Sequence, residues 1–261
     1  MQRRPFSVLV ASSLLIRSSS AFLQPPQRTI MSDRHRPFTE LFASSSSSDT
    51  KVHRILCYGD SLTAGTSSPM WELFPYAPHL ERALTTGDTA LKCVARHRGM
   101  PGWLASNMVD AADDPTVGLR AAIQGITNPS LCCVIILAGT NDLGYAASGN
   151  DNPAATVLEP IKALHEMAWK EGVPKTIAIA IPPSGYQSRV ADASFLAMAI
   201  NQELEAFCQE SNGKALFCKF PFEYEPAGDN CAPDGLHFSP KGYQVLGEYL
   251  KEPVLQVLKD L

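Results

Sequence analysis

No stretch of the 261-residue chain approaches the run of about eighteen apolar residues that a membrane-spanning helix needs. There is no Walker phosphate loop, no G-x-G-x-x-G fingerprint and no H-E-x-x-H pair, which removes the common signatures of nucleotide binding and zinc proteolysis. The G-x-S-x-G elbow of α/β-hydrolases is also missing, because Thr63 stands where its second glycine belongs. No asparagine opens a glycosylation sequon, since Pro129 spoils the one at Asn128. Seven cysteines, an odd number without regular spacing, exclude a complete disulfide framework. Cys57, Cys132 and Cys133 sit in apolar runs and read as small buried hydrophobes, while a bridge among Cys208, Cys218 and Cys231 fits an exported protein.

Lysine is absent from the first fifty residues, which hold six arginines and only three acids. Arg3 and Arg4 form a basic start, Phe6–Ile16 an apolar run and Ser18–Ala21 a small-residue cleavage site, the pattern of a signal peptide. From Phe22 the segment is rich in Ser and Arg and poor in acids, and the junction SSSAFLQPP resembles the Ala-Phe junction of two-part presequences in algae with multiply enclosed plastids. The expectation is a cleavable presequence over 1–50 directing plastid import, with a secretory signal as the alternative, and a single domain over 51–261. That domain carries 16 basic and 23 acidic side chains. So acidic a body repels polyanions, so nucleic acid is not expected as a partner.

Past residue 50, short apolar or β-branched runs alternate with helical patterns. The runs are Arg54–Gly59, Ala90–Arg96, Leu131–Gly139, Lys175–Pro182 and Lys214–Phe220. The third and fourth are almost continuously apolar, as in strands covered on both faces. Helices are predicted over Ala154–Gly172, with Pro160 marking a kink or a late start, over Ala191–Ser211, and over Pro240–Leu258, capped by Ser239 and bent at Pro253. Such alternation implies a parallel sheet with helices on both sides, and ligands then bind beyond the carboxyl ends of the strands.

Four islands fall at those ends in a fixed order: GDSL at Gly59–Leu62, GMPGW at Gly99–Trp103, GTND at Gly139–Asp142 and DGLHFS at Asp234–Ser239. Ser61 is a poor nucleophile until a base takes its proton, and alone it reads first as a helix cap. His237 supplies that base, and Asp234 three residues upstream can hold the imidazole in the tautomer that frees Nε2. A tetrahedral intermediate also needs donors already aimed at its oxyanion. The backbone N–H groups of Gly102 and Ser61 and the Asn141 amide meet that need. Trp71, Phe74, Tyr76, Trp103 and Tyr145 follow these islands and either form an apolar substrate pocket, Trp71, Trp103 and Tyr145 foremost, or pack under a long loop. Gly144–Asn152 has the composition of a mobile lid. His165 and Glu166 are expected to face solvent, and Arg96–Arg98 to be a solvated basic strand end.

The ordered islands resemble those of the SGNH hydrolase superfamily, the GDSL-type esterases and lipases. That resemblance implies a three-layer α/β/α sandwich with a flavodoxin-like five-stranded parallel sheet, no metal and no cofactor. It implies catalysis by Ser61, Asp234 and His237, with an oxyanion hole of Ser61, Gly102 and Asn141. Pro101 and Leu104 depart from residues frequent at those places in the family; proline removes only its own N–H. The expected activity is hydrolysis of short to medium acyl esters through an acyl-enzyme. Acyl transfer or carbohydrate deacetylation would use the same site, and a non-catalytic binding protein could keep the fold.

Overall fold

The computed structural model describes residues 52–69, 72–87, 91–126, 130–146, 152–259 and 261. The presequence expectation therefore lies outside the described residues, as do Trp71 and most of the segment expected to form a lid.

Five strands form one parallel sheet: β1 (His53–Asp60), β4 (Cys93–Met100), β5 (Cys133–Leu137), β6 (Lys175–Ile179) and β7 (Ala215–Cys218), in the order β4-β1-β5-β6-β7. A two-residue hairpin, β2 (Thr66–Ser67) with β3 (Glu72–Leu73), stands apart from it. Side chains alternate across a strand, and here the alternation feeds two cores. Leu56, Tyr58, Val134, Ile136 and Ala178 pack on one face with the helices 105–110, 119–125, 153–170 and 191–210. Ile55, Cys57, Ile135, Leu137, Ile177 and Ile179 pack on the other, against the helices 77–85, 240–249 and 251–258. The result is the α/β/α arrangement the sequence implied, with strands apolar on both faces because both are covered.

Four helices carry the site. They are α1 (Ser61–Ala64), α2 (Ala105–Asp110), α3 (Thr140–Ala146) and α4 (Gly185–Arg189). Two long helices buttress them, α5 (Pro153–Lys170) and α6 (Ala191–Glu210).

Several expectations need correction. Pro160 neither delays nor ends α5, which starts at Pro153 behind an Asn152 cap and runs through it. The last helix is not one bent rod but two, Pro240–Tyr249 and Lys251–Leu258, meeting at Leu250. The break falls just ahead of Pro253 because proline lacks the N–H that would reach the Tyr249 carbonyl and its ring crowds that turn. All seven cysteines are free, so the expected bridge among Cys208, Cys218 and Cys231 is not made. His165 is fully buried, its Nδ1 lying 2.9 Å from Thr176 Oγ1 on β6, while Glu166 is exposed. Burial pushes the His165 pKa down to about 3, which keeps the ring neutral. Arg96–Arg98 lie within β4, with Arg98 buried and Arg96 paired to Glu81 at 2.8 Å.

Candidate active site

Ser61 begins α1 immediately after β1, and the turn is set by Asp60, whose Oδ1 accepts from the Leu62 amide at 2.9 Å. Helix α1 rests directly on β4 at Gly99: a Cβ there would come within 2.1 Å of the Ala64 backbone nitrogen. Only glycine allows that approach, and it holds the serine at the strand ends.

The second island makes a tight turn. Trp103 N–H donates to the Met100 carbonyl at 3.1 Å, and Gly102 has φ 79°. Proline in the second position and glycine at positive φ in the third are the residues a type II turn requires. Pro101, the departure noted above, therefore suits this turn and leaves the Gly102 N–H exposed to the cavity. The third island tethers itself to the second twice. Asn141 Nδ2 donates to the Trp103 carbonyl at 2.9 Å, and both Asp142 oxygens accept from Ala105 N–H, the start of α2, at 3.1 Å.

The fourth island lies on a turn fastened by its own acid. Asp234 Oδ1 accepts from the amides of Leu236 and His237, each at 2.9 Å, and Oδ2 lies 2.8 Å from His237 Nδ1. An ionised carboxylate can only accept, so Nδ1 carries the proton and Nε2 keeps its lone pair. That Nε2 stands 3.0 Å from Ser61 Oγ, which donates to it. Burial works against the Asp234 charge, but the His237 ring and the two amides outweigh it and hold the carboxyl below its usual range. A further clamp holds the turn from behind, where Gly185 N–H at the start of α4 donates to the Gly235 carbonyl at 2.7 Å.

Ser61, Gly102, Asn141 and His237 line one cavity of about 530 Å³, closed by Thr66, Leu73, Pro101 and Leu236. The hairpin supplies Thr66 and Leu73, and it is anchored by Tyr243, whose hydroxyl donates to the Thr66 carbonyl at 2.6 Å. Among the described residues, Trp103 and Tyr145 do not line this cavity, and Trp71 lies outside them. Trp103 packs against the core, and Tyr145 is 70% exposed away from the cavity lining. A larger cavity of about 610 Å³ opens between α6 and β7 but holds none of these residues. Among the described residues, no group of His, Cys, Asp or Glu is placed to hold a metal ion, and no helix is long and apolar enough to cross a membrane.

Two residues of the site had no role assigned from sequence. Asp60 is completely buried and its pKa is pushed up to about 7, chiefly by burial and further by the neighbouring Asp142 charge. Burial likewise raises Asp142 to about 6. The available signal was positional, an acid directly ahead of one helix and an acid in the first turn of another.

The profile of the GDSL-like lipase/acylhydrolase family matches residues 57–245. The chain belongs to that family, and with it to the SGNH class of serine ester hydrolases. Similar solved structures include the M. smegmatis aryl esterase, 20% identical over 79% of this chain and 100% of that one, with a TM-score of 0.59. A carbohydrate acetylesterase family member from Sinorhizobium meliloti is 19% identical over 80% of this chain and 100% of that one, at 0.57. The lipase/acylhydrolase from Enterococcus faecalis is 20% identical over 78% and 95%, at 0.54. At such identities the likeness is one of fold. No curated protein matches the chain.

Proposed function

We propose that the protein hydrolyses short to medium acyl esters through an acyl-enzyme formed on Ser61. The observation that carries the proposal is the relay from Ser61 Oγ to His237 Nε2 at 3.0 Å and from Nδ1 to Asp234 at 2.8 Å, opening into a cavity shared with Gly102 and Asn141. His237 takes the Ser61 proton as Oγ attacks the ester carbon, and Asp234 stabilises the imidazolium that results. The oxyanion is met by the Ser61 and Gly102 amides and by Asn141, whose NH₂ has a second hydrogen beside the one given to Trp103. His237 then gives its proton to the departing alkoxide, leaving the acyl group on Ser61. Water enters, loses a proton to His237 and attacks the acyl carbon. Collapse releases the carboxylic acid, the histidine proton returns to Ser61, and the acid ionises in solvent.

The cavity supports the acyl preference. Leu73, Pro101 and Leu236 give it a small apolar wall. A fluorophosphonate probe should label the wild type and not Ser61→Ala, and esters of graded chain length should show turnover falling beyond medium lengths. Labelling that persists in Ser61→Ala would overturn the assignment of the nucleophile.

The reading of residues 1–50 as a removable plastid-import presequence ahead of the 51–261 domain is proposed alongside. Fusing 1–50 to a fluorescent protein in an alga with multiply enclosed plastids tests it, and export of the fusion would favour the secretory alternative.

A further inference from the structure

Beside the cavity at Ser61 lies a second hollow of about 290 Å³. Asn141 and Leu236 border both, so the two are compartments of one cleft. Both walls are mixed, Leu143 and Leu236 lining the second, but among the described residues only the second holds a guanidinium. The first is closed by Leu73, Pro101 and Leu236, whereas α4 and its cap give the second Ser184, Tyr186, Gln187 and Arg189.

Arg189 is the only cation among the described residues of that lining. It is exposed, and its guanidinium makes no ion pair or hydrogen bond with a described residue. Its Nη1 reaches within 3.1 Å of the place a Cβ on Gly185 would occupy, and Gly185 is hydrogen-bonded to Gly235 in the turn that carries His237. The charge therefore sits at the back of the catalytic turn. Asp234 borders the same compartment, but its charge is already met by the His237 ring and two amides, so Arg189 has no task in balancing it.

The chemistry decides which half of an ester faces this compartment. His237 must protonate the leaving oxygen, so the alcohol half departs on the histidine side, past Leu236 and towards α4. The acyl half stays with Leu73 and Pro101. We propose that the second compartment receives the alcohol half of the substrate, and that Arg189 pairs there with an anionic oxygen group on it, a carboxylate or a phosphate. A planar guanidinium matches either group with two parallel N–H donors. The proposal rests on the ester-hydrolase reading and narrows it to esters of anionic alcohols.

The test compares kcat/KM for 4-acetoxybenzoate, 4-acetoxyphenyl phosphate and the neutral methyl 4-acetoxybenzoate in wild type, Arg189→Gln and Arg189→Lys, each first shown to be folded by thermal melting. Taking the anionic-to-neutral ratio within each enzyme, and comparing ratios between enzymes, cancels differences in leaving-group acidity. The ratio for at least one anion should fall about tenfold in Arg189→Gln and by less in Arg189→Lys, which keeps the charge but not the fork. The anion whose ratio falls further identifies the group. An unchanged ratio, with the neutral ester still turned over by wild type, overturns this proposal alone. Absence of turnover on all three esters by wild type overturns the parent reading. A second pair, phenyl hemisuccinate against phenyl butyrate, puts the charge on the acyl side. If Arg189→Gln shifts that ratio instead, the assignment to the alcohol half is wrong.

Discussion

Asp60 and Asp234 lie one residue from the serine and three from the histidine respectively, yet their surroundings drive them in opposite directions. Asp234 receives two backbone amides and an imidazole N–H, and it remains ionised well into the acid range. Asp60 is completely buried and receives one amide, from Leu62, while the Asp142 carboxyl stands nearby and raises it further. Its pKa rises to about 7. The contrast shows that donors, more than position within a motif, decide whether a carboxyl can serve as a charge. In the proposed reaction Asp234 is an anion beside the imidazolium that forms. Asp60 is built to shape the turn that presents Ser61, and its charge is a burden there.

The largest effect should come from breaking the charged side of this comparison. Removing Ser61 or His237 as alanine should lower kcat by about 10⁴-fold or more, leaving only the residual stabilisation offered by the oxyanion donors. Asp234→Asn should cost about 10³–10⁴ in kcat, because an amide in that place can accept from Nδ1–H less strongly and can stabilise the wrong tautomer. Burst kinetics with a chromogenic acetate ester measures both. If Asp234→Asn retained near wild-type turnover while Asp60→Asn abolished it, the roles given to the two acids would have to be exchanged.

Asn141→Ala sharpens the picture at an intermediate level. Loss of one preorganised oxyanion donor should lower kcat by about 10²–10³ with little change in KM, since the donor matters mostly once charge has moved onto the carbonyl oxygen. A rise in KM at constant kcat would place Asn141 in ground-state binding instead. The variant also releases the Trp103 carbonyl, so a melting curve taken beside the kinetics separates loss of that tether from loss of the oxyanion donor.

The islands made most of this site legible before any coordinates, because each is a short local device: a capped helix start, a Pro-Gly turn, a helix after a strand end and an Asp-x-x-His turn. What stayed hidden depended on contacts distant in sequence. His165 looked like a surface residue on a helix, but β6 brings Thr176 to its ring and α6 brings Phe207, and together they bury it. Trp103 and Tyr145 follow the right islands, but one turns into the core and the other outwards, which spacing alone does not reveal. The compartment at Arg189 needs α4 to meet the catalytic turn about fifty residues further along the chain, through a single bond from Gly185 to Gly235. The break in the last helix is instead a local effect, for proline acts on the carbonyl four residues earlier and the break falls a turn ahead of Pro253.

The neutral side of the comparison predicts the smallest and most diagnostic effect, a dependence of stability on pH. In the unfolded chain Asp60 and Asp142 titrate near 3.9. In the folded protein their values are raised to about 7 and about 6, so between these limits the folded state binds protons that the unfolded state does not. Stability contributed by this pair is full below the unfolded value and declines as pH rises towards 7, by about 1.4 kcal/mol per pH unit for each proton held. Asp234 has the opposite sign, since its lowered value gives a contribution present above the unfolded pKa and lost as the solution is acidified through the folded one. Asp60→Asn keeps an oxygen for the Leu62 amide but has no charge to bury. Its melting temperature should therefore fall less between pH 5 and 7 than that of wild type, by about 3–5 °C for each pH unit of relief. Parallel melting curves for the two proteins across that range would show that Asp60 titrates alike in the folded and unfolded chains, and the distinction between the two acids would then rest on hydrogen bonds alone.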